Sequence, residues 1–387
     1  MNQTKVILHL SHTHIATDSR ILKSMDAAVK SGFKVVGIGA SGSEATVRSS
    51  MGKYLTIFEY TIWSQALISK MPKAIRRPFL PICFAELTIK ILARGVRIRP
   101  SIVHCNDTLA LSAALFIKLF TGCKIIYDAH ELESDRNGIS LIEGKIYFYF
   151  ERLFWRFIDA LIVVSPSIND WYQKNMGCKL SAIILNSPLI VDDTSYSRNY
   201  LREYFDIPAR HKVFVYVGFL AEGRGLEHLV QTFESDEVES HFVLLGYGPL
   251  FDKIMKKTKF SEKIHVHPAV SHEEVANVTR SADVGVCFVE NVSLSDYFCL
   301  PNKLFEYAFS DLAVISSNFP DITKMVSDFG LGVVTSPDLD GVYSSVLELE
   351  KMDLQDFYKN KDLTPISWEA QSVKLLSLYN TVLQKRG

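Results

Sequence analysis

At 387 residues, with 48% hydrophobic and 22% charged side chains, 20 glycines and 13 prolines, the chain is long enough for two hydrophobic cores and has a folded, globular composition. That excludes disorder, and a formal net charge of −1 excludes a whole-molecule field that would gather nucleic acid. Six separated cysteines, Cys83, Cys105, Cys123, Cys178, Cys287 and Cys299, form no C-x-x-C pair, so neither a zinc site nor a redox motif is predicted.

The apolar stretch 6–10 is too short for a signal-peptide core, and no run of about 18 apolar residues predicts a spanning helix. The expectation is a cytoplasmic protein without an integral membrane segment. Short β-branched runs alternate with longer stretches of helical period, which predicts parallel sheets covered by helices. Strands are predicted at 6–10, 34–38, 55–60, 102–104, 124–127, 161–164 and 182–185. Ser187-Pro188 and the polar tract 192–199 break the pattern, and strands resume at 213–217, 242–245, 264–267, 284–288 and 313–316. The chain thus divides into one α/β domain over 1–190, a second over 200–365, and a final helical stretch at 366–387. That stretch follows Pro365, places Val373, Leu376, Tyr379 and Leu383 near helical spacing, and is expected to pack across both domains. No internal repeat or low-complexity segment is present.

The strongest chemical signal is Gly218-Phe219-Leu220-Ala221-Glu222-Gly223-Arg224-Gly225, directly after the strand 213–217 and before the helical pattern 226–233. Glycines between a strand and a helix let backbone N–H groups approach an anion, and the helix start adds about half a positive charge. With the guanidinium of Arg224, the loop suits a diphosphate. A second segment, Leu300-Pro301-Asn302-Lys303-Leu304-Phe305-Glu306-Tyr307, sets Pro301 at a first helical turn whose amides stand beside the Lys303 ammonium. Glu306 follows one turn later, where a carboxylate can accept both hydroxyls of a ribose; read otherwise, the two are a surface pair worth about 0.2–0.5 kcal/mol. Gly246-Tyr247-Gly248-Pro249 ends another strand of this half. Three such loops together predict a nucleotide site.

In the first half, Tyr127-Asp128-Ala129-His130-Glu131 places ionisable groups at the carboxyl end of a strand, where open α/β sheets hold ligands. His130 is predicted to donate to substrate hydroxyls or phosphate, with Glu131 orienting it. In the loop after the first strand, His12, His14 and Arg20 are predicted to face a cleft between the domains. Asp18 caps the helix that carries Ile21, Met25, Ala28 and Val29. His104-Cys105-Asn106-Asp107 is predicted to line the same cleft, and His12 with His14 lacks a third ligand for a metal.

Two stretches concern surfaces. Residues 70–99 hold eight Lys or Arg against one acid, Glu86, interleaved with apolar side chains. They read equally as a membrane-surface segment and as a solvated basic face. Residues 147–157 hold seven aromatics in eleven positions, for which core packing is preferred over lipid contact. Gly37-Ile38-Gly39-Ala40-Ser41-Gly42 matches G-x-G-x-x-G but follows the second strand, and is read as a strand-end loop. Asp338-Leu339-Asp340 sits beside Pro337 and Gly341 and is read as a turn, so no metal is assigned.

In combination and order these segments, with Asp18-Ser19-Arg20 and Ser281-Ala282-Asp283-Val284-Gly285-Val286, resemble the family-4 retaining glycosyltransferases of the GT-B fold, particularly bacterial enzymes that build surface polysaccharides. The resemblance covers nearly the whole chain and implies two Rossmann-like domains facing a central cleft. It implies a donor site in the second domain for a nucleotide-diphosphate sugar. Arg224 stands where the family has a diphosphate-binding lysine, and Glu306 where it has a ribose-binding glutamate. Gly218, Gly223, Gly225, Gly246, Gly248, Pro301, Asn302, Lys303 and Leu304 complete that site, while His12, His14, Asp18, Arg20 and Asp107 fall on the acceptor side. His130, Glu131, Arg224 and Lys303 are the catalytic candidates, without metal or cofactor. The acceptor is expected to be a glycan or lipid-linked, with membrane-surface association through residues 70–99 at the inner face of the cytoplasmic membrane. Two positions depart from the pattern: Phe219 replaces a frequent arginine, and Phe298 replaces the acid expected eight residues before Glu306. The rival expectations are a sugar-nucleotide epimerase of the same fold and a catalytically silent scaffold.

Overall fold

The computed structural model describes residues 4–41, 46–48, 54–189, 197–354 and 361–385. By its contacts the chain forms two units, Met1–Ile184 with Ser372–Gly387, and Leu185–Gln371. The sheet of the first unit has eight strands: β1 (Val6–Leu10), β2 (Lys34–Ser41), β3 (Thr46–Arg48), β4 (Leu55–Thr61), β5 (Ile102–Cys105), β6 (Lys124–Ala129), β7 (Ala160–Val163) and β8 (Leu180–Ile183). Their order is β3-β4-β2-β1-β5-β6-β7-β8, and every pairing is parallel except β3 with β4. The second unit has β9 (Val213–Phe219), β10 (His241–Tyr247), β11 (Ile264–His267), β12 (Val284–Cys287), β13 (Ala313–Ser317) and β14 (Gly332–Thr335) in the order β11-β10-β9-β12-β13-β14, all parallel.

This topology decides where ligands can sit. In the first sheet the chain leaves β1 toward β2 and later returns to its other side as β5; in the second it leaves β9 toward β10 and returns as β12. Loops at these two switch points diverge and open a crevice at the carboxyl ends of the strands. The strands are buried on both faces, so they read as continuous apolar runs: β5 and β7 are fully buried, and β9 is buried from Val213 to Val217. The core of the second unit is built on Phe214, Phe233 and Phe242, with ring centroids 5.2 and 4.9 Å apart. Each such side chain contributes about 1.5–3 kcal/mol on burial.

The strands expected from periodicity are present, and two more appear. β3 is a three-residue antiparallel edge, too short to carry a period, and β14 begins at a glycine and is only half-buried, so it lacks the continuous apolar run of a central strand. The segment Gly37–Gly42 is not a loop throughout, because β2 continues to Ser41. A Cβ on Gly39 would meet the Thr13 carbonyl, so this glycine admits the β1 loop, which Ala40 N–H then bonds at 3.0 Å. Asp338 starts the helix Leu339–Lys351 by accepting from Gly341 N–H.

Two helical faces differ from expectation. Along Trp368–Gln384 the buried residues are Trp368, Gln371, Leu375, Leu378, Tyr379 and Val382, while Val373 is 67% exposed. Apolar residues nearly encircle this helix, so spacing alone does not select its face. Tyr379 reaches His104 within the first unit, its hydroxyl 2.6 Å from Nδ1. The aromatic run likewise does not simply fill the core. Helix Leu141–Trp155 buries Gly144, Glu151 and Trp155 and leaves Ile146, Tyr149 and Leu153 exposed. The Glu151 carboxylate takes the central buried seat because Tyr127 and Tyr172 donate to Oε1 at 2.6 and 2.7 Å. Burial pushes the Glu151 pKa up to about 7.

At the centre of the second sheet, Gly285 lies under the ring of Tyr307, whose hydroxyl accepts from Val217 N–H at 2.9 Å and donates to the Val286 carbonyl at 3.2 Å. A methyl group at 285 would occupy the ring's own space. Gly285→Ala is therefore expected to cost about 1–3 kcal/mol through overpacking. The check is the urea midpoint of this unit's transition; an unchanged midpoint would contradict the packing described.

Candidate active site

In the second unit, the loop after β9 and the helix Asn302–Ala308 bring the predicted donor residues together. Gly218 has φ 125°, and Gly225, at φ 67°, is the residue before helix Leu226–Phe233. These left-handed conformations turn the backbone sharply with no side chain in the way. Gly246 and Gly248 serve a different end. A Cβ on Gly246 would strike the Gly218 carbonyl and one on Gly248 the backbone of Leu220. Their glycines let the β10 loop lie against the β9 loop, joined by Leu220 N–H to the Tyr247 carbonyl at 2.8 Å and Leu250 N–H to the Leu220 carbonyl at 3.0 Å.

Lys303 lies beside Gly218, and its Nζ is 3.6 Å from the centroid of the Tyr216 ring. The residue keeps some exposed surface, but the ammonium nitrogen is buried and has no hydrogen-bond partner among the described residues. Burial, with the positive charge of Arg224 adding to it and the negative charge of Glu306 opposing it, lowers the Lys303 pKa to about 8. The predicted triad of Arg224, Lys303 and Glu306 is thus one electrostatic cluster. The Tyr216 ring partly offsets the cost of an unpaired cation. An anion in this place gains a cation already stripped of water.

Arg224 is held by an acid the sequence reading did not single out. Nη1 lies 3.6 Å from the carboxylate of Asp296, which is fixed by Ser293 Oγ at 2.8 Å. The acid expected at position 298 is phenylalanine, and the nearby carboxylate comes from two residues earlier. Glu290 was missed as well: it accepts from Gly225 N–H at 2.9 Å and steadies the loop. No local spacing signals either contact, since both join loops far apart in sequence. Phe219, at the position where an arginine is frequent, is exposed and pairs edge-on with Tyr247 at 5.7 Å. Pro301 is the residue before helix Asn302–Ala308, Asn302 opens it, and Leu304 is buried as its anchor.

In the first unit, a cavity of about 170 Å³ opens at the strand ends, lined by His12, Asp18, Asp107, Asp128, His130 and Glu131 among others. Asp128 is its buried foundation. It pairs with Arg20 Nη2 at 2.8 Å and faces His104 Nε2 at 3.3 Å and His130 Nε2 at 3.5 Å. Burial opposes its charge, but Arg20 and the neighbouring histidines outweigh it and hold its pKa well below the usual carboxylate range. Arg20 itself is 5% exposed and also donates to the Ile184 carbonyl at 3.1 Å. Its guanidinium is committed inside the first unit, where the sequence predicted an open, cleft-facing position. Asp18 caps the helix Ser19–Lys30, accepting from Arg20 and Ile21 N–H at 3.0 Å.

His130 keeps partial exposure above Asp128, so that residue, and not Glu131, is the carboxylate beside it; Glu131 lies 3.8 Å from Arg136. His12 Nδ1 sits 2.9 Å from Asp107, which also accepts from His12 N–H at 2.8 Å. Burial disfavours the His12 cation, but the hydrogen bond and charge of Asp107 prevail and raise its pKa. His14 pairs separately with Glu59 at 2.6 Å, away from these cavity walls. His12, Asp107 and His130 thus share one concave surface of donors and charge, suited to hydroxyl-bearing ligands.

Removing the Asp128 carboxylate would leave Arg20 buried without a counter-charge. Asp128→Ala is expected to destabilise the first unit by about 3–5 kcal/mol. Thermal unfolding read by near-ultraviolet circular dichroism checks this, and an unchanged transition would deny the pair its structural role.

Among known proteins, residues 26–187 match the model for Glycosyltransferase Family 4, and residues 211–351 match that for Glycosyl transferases group 1. The chitobiosyldiphosphodolichol beta-mannosyltransferase of Candida albicans is 24% identical over 255 residues, 60% of this chain and 55% of its own length. The chain thus spans about half the length of that relative. Among solved structures, sucrose-phosphate synthase from Thermosynechococcus elongatus superposes with a TM-score of 0.76 at 15% identity, covering 98% of this chain and 99% of that one. HepE of Anabaena, solved in complex with UDP and glucose, gives 0.67 at 12% identity, covering 98% of each chain. With a family 4 model matching the first unit, a group 1 model matching the second and the fold of GT-B enzymes, the chain is a glycosyltransferase.

Proposed function

We propose that this glycosyltransferase moves a sugar from a nucleoside diphosphate to a glycan or lipid-linked acceptor, with retention and without a metal, in surface polysaccharide assembly. The observation that carries the reading is the buried Lys303 ammonium, unpartnered over Tyr216 and grouped electrostatically with Arg224 and Glu306. A diphosphate is the natural counter-charge for two cations beside a glycine-bounded loop, and Glu306 serves the ribose. UDP is the first probe, since the similar Anabaena protein was solved with it. A lipid-linked acceptor is favoured because the Candida relative is named for a dolichol-linked substrate. The proposed setting is the inner face of the cytoplasmic membrane. Residues 70–99 support it: helix Leu80–Ile98 exposes Ile82 and Ile89, and its single acid, Glu86, is bound by Ser64 and Lys90. Among the described residues no helix is long and apolar enough to cross a membrane.

The difficult event is departure of the diphosphate as the sugar carbon becomes cation-like. Charge grows on the leaving oxygen, so donors fixed around it act more strongly on the transition state than on the bound donor. Arg224, Lys303 and the amides of the 218–225 loop supply that stabilisation. The first unit holds the acceptor, with His130 donating to a sugar hydroxyl or phosphate oxygen and Asp128 fixing its position.

Arg224→Ala and Glu306→Ala are each expected to lower transfer by at least about tenfold, or roughly 1.4 kcal/mol, in folded protein. Full activity of both would remove the donor site. His130→Ala is expected to reduce turnover while leaving UDP affinity within a factor of about two; calorimetry beside kinetics separates these. UDP affinity is also expected to fall as pH rises through about 8, because the free enzyme then loses the Lys303 proton that the phosphate requires. The slope approaches about tenfold per pH unit above that point, and Lys303→Arg, charged throughout, should flatten it. A wild-type affinity constant across this range would exclude Lys303 from phosphate contact.

A further inference from the structure

A buried carboxyl group lies one hydrogen bond behind the cavity of the first unit. Glu151, on helix Leu141–Trp155, is fully buried and takes no part in the donor or acceptor chemistry described above. Its Oε1 collects three hydroxyls: Tyr127 at 2.6 Å, Tyr172 at 2.7 Å and Thr108 at 3.3 Å. The Tyr127 and Thr108 oxygens are themselves 2.6 Å apart. Each tyrosine has one hydroxyl proton and gives it to Glu151, so Thr108 is the donor to Tyr127, and every hydroxyl of the cluster points toward the carboxyl group. The other carboxyl oxygen, Oε2, is buried without a partner among the described residues. Tyr172, from helix Pro166–Asn175, stacks on Trp155 with ring centroids 5.6 Å apart, so this donor is fixed in turn.

Two of these hydroxyls stand next in the chain to the carboxylates of the cavity. Tyr127 lines the cavity and immediately precedes Asp128, which faces His130. Thr108 immediately follows Asp107, which pairs with His12 and caps the turn Thr108–Ala110. We propose that Glu151 is a positioning residue for this cavity, its carboxyl group holding Tyr127 and Thr108 and through them setting the Asp128–His130 and Asp107–His12 pairs together. The inference rests on the acceptor reading given above for its purpose. An apolar side chain would fill the same space without the cost of burying a carboxyl group, so packing alone does not account for Glu151. The hold also depends on pH. Burial disfavours the Glu151 carboxylate, the Tyr127 and Tyr172 hydroxyls favour it, and the charge of Glu133, which lines the cavity, disfavours it again; the balance falls at about 7. Above that pH the three hydroxyls bond to a charged oxygen, and below it they lose that charge assistance. Glu133 links the two sites electrostatically, since it acts on His12 as well, beside Asp107 and Arg136.

The test is nuclear magnetic resonance of the full chain with labelled histidine, following the His12 and His130 imidazole signals between about pH 5.5 and 8.5. His12→Gln and His130→Gln assign the two signals. Glu151→Gln keeps the size of the side chain and removes its charge. It is expected to lower the His12 midpoint by at least about 0.3 pH unit and to move the His130 signal at fixed pH. Tyr172→Phe leaves the carboxyl group in place but takes away a hydroxyl that favours its charge, so the His12 midpoint should move the same way by less. This second variant carries the test where Glu151→Gln fails to fold. UDP affinity, read by calorimetry, should stay within a factor of about two in folded variants. Histidine signals that match the wild type in both variants would overturn the proposal. So would a large loss of UDP affinity in both, which would make Glu151 a general support of the fold. Unaltered turnover in His130→Ala would instead sink the acceptor reading and leave the hold of Glu151 on the cavity standing.

Discussion

The organising constraint of the second unit is an ammonium group that is buried without a counter-ion. Lys303 Nζ rests on the Tyr216 ring, and among the described residues no carboxylate or carbonyl bonds to it. Glu306 and Arg224 act on it with opposite signs, and burial lowers its pKa to about 8. A polypeptide retains so costly an arrangement only where the surrounding structure over-determines it. Here that structure is explicit. Tyr307 pins the helix carrying Lys303 to β9 and β12 through its hydroxyl, and Gly285 makes room for its ring. Glycines at 218, 246 and 248 let two loops close on the same place. Stabilising a developing charge needs donors whose positions are set before the charge appears, and the cations of this unit are positioned in that way.

The first unit uses the opposite sign. Asp128 is a buried carboxylate surrounded by Arg20, His104 and His130, and His104 continues to Tyr379 on the C-terminal helix. One network therefore joins β5, β6, the first helix and the last, and leaves only His130 with partial access to solvent among those histidines. The one histidine of this network that reaches solvent is thereby held by groups that are buried. The neighbouring His12–Asp107 pair works on the same plan, since Asp107 also accepts from Ala110 N–H at 2.9 Å and is held by its own loop.

Much of the candidate donor site was legible because its signals are local. Gly218 stands at the end of a strand with Gly223 and Gly225 after it, Lys303 and Glu306 are one helical turn apart, and each pattern has a direct backbone reason. Tyr216, Asp296 and Glu290 were not legible, because their partners lie dozens of residues away and no period links them. The aromatic run at 147–157 shows how such a reading errs. A count of apolar residues predicts burial, yet one buried carboxylate, Glu151, took the inner face and turned Ile146, Tyr149 and Leu153 outward.

From sequence alone came the alternation of strand and helix, the break near 190, the positions of the glycine loops and the basic stretch at 70–99. These depend on neighbours within a few residues, where backbone geometry and side-chain period act directly. Only the tertiary structure decided that Arg20 is a buried partner of Asp128, that Asp128 rather than Glu131 stands beside His130, and which side of the last helix is covered. Those outcomes turn on which charged group finds its counter-charge once strands from distant parts of the chain lie side by side. Burial makes that choice energetically large, and it exists only after the chain has folded.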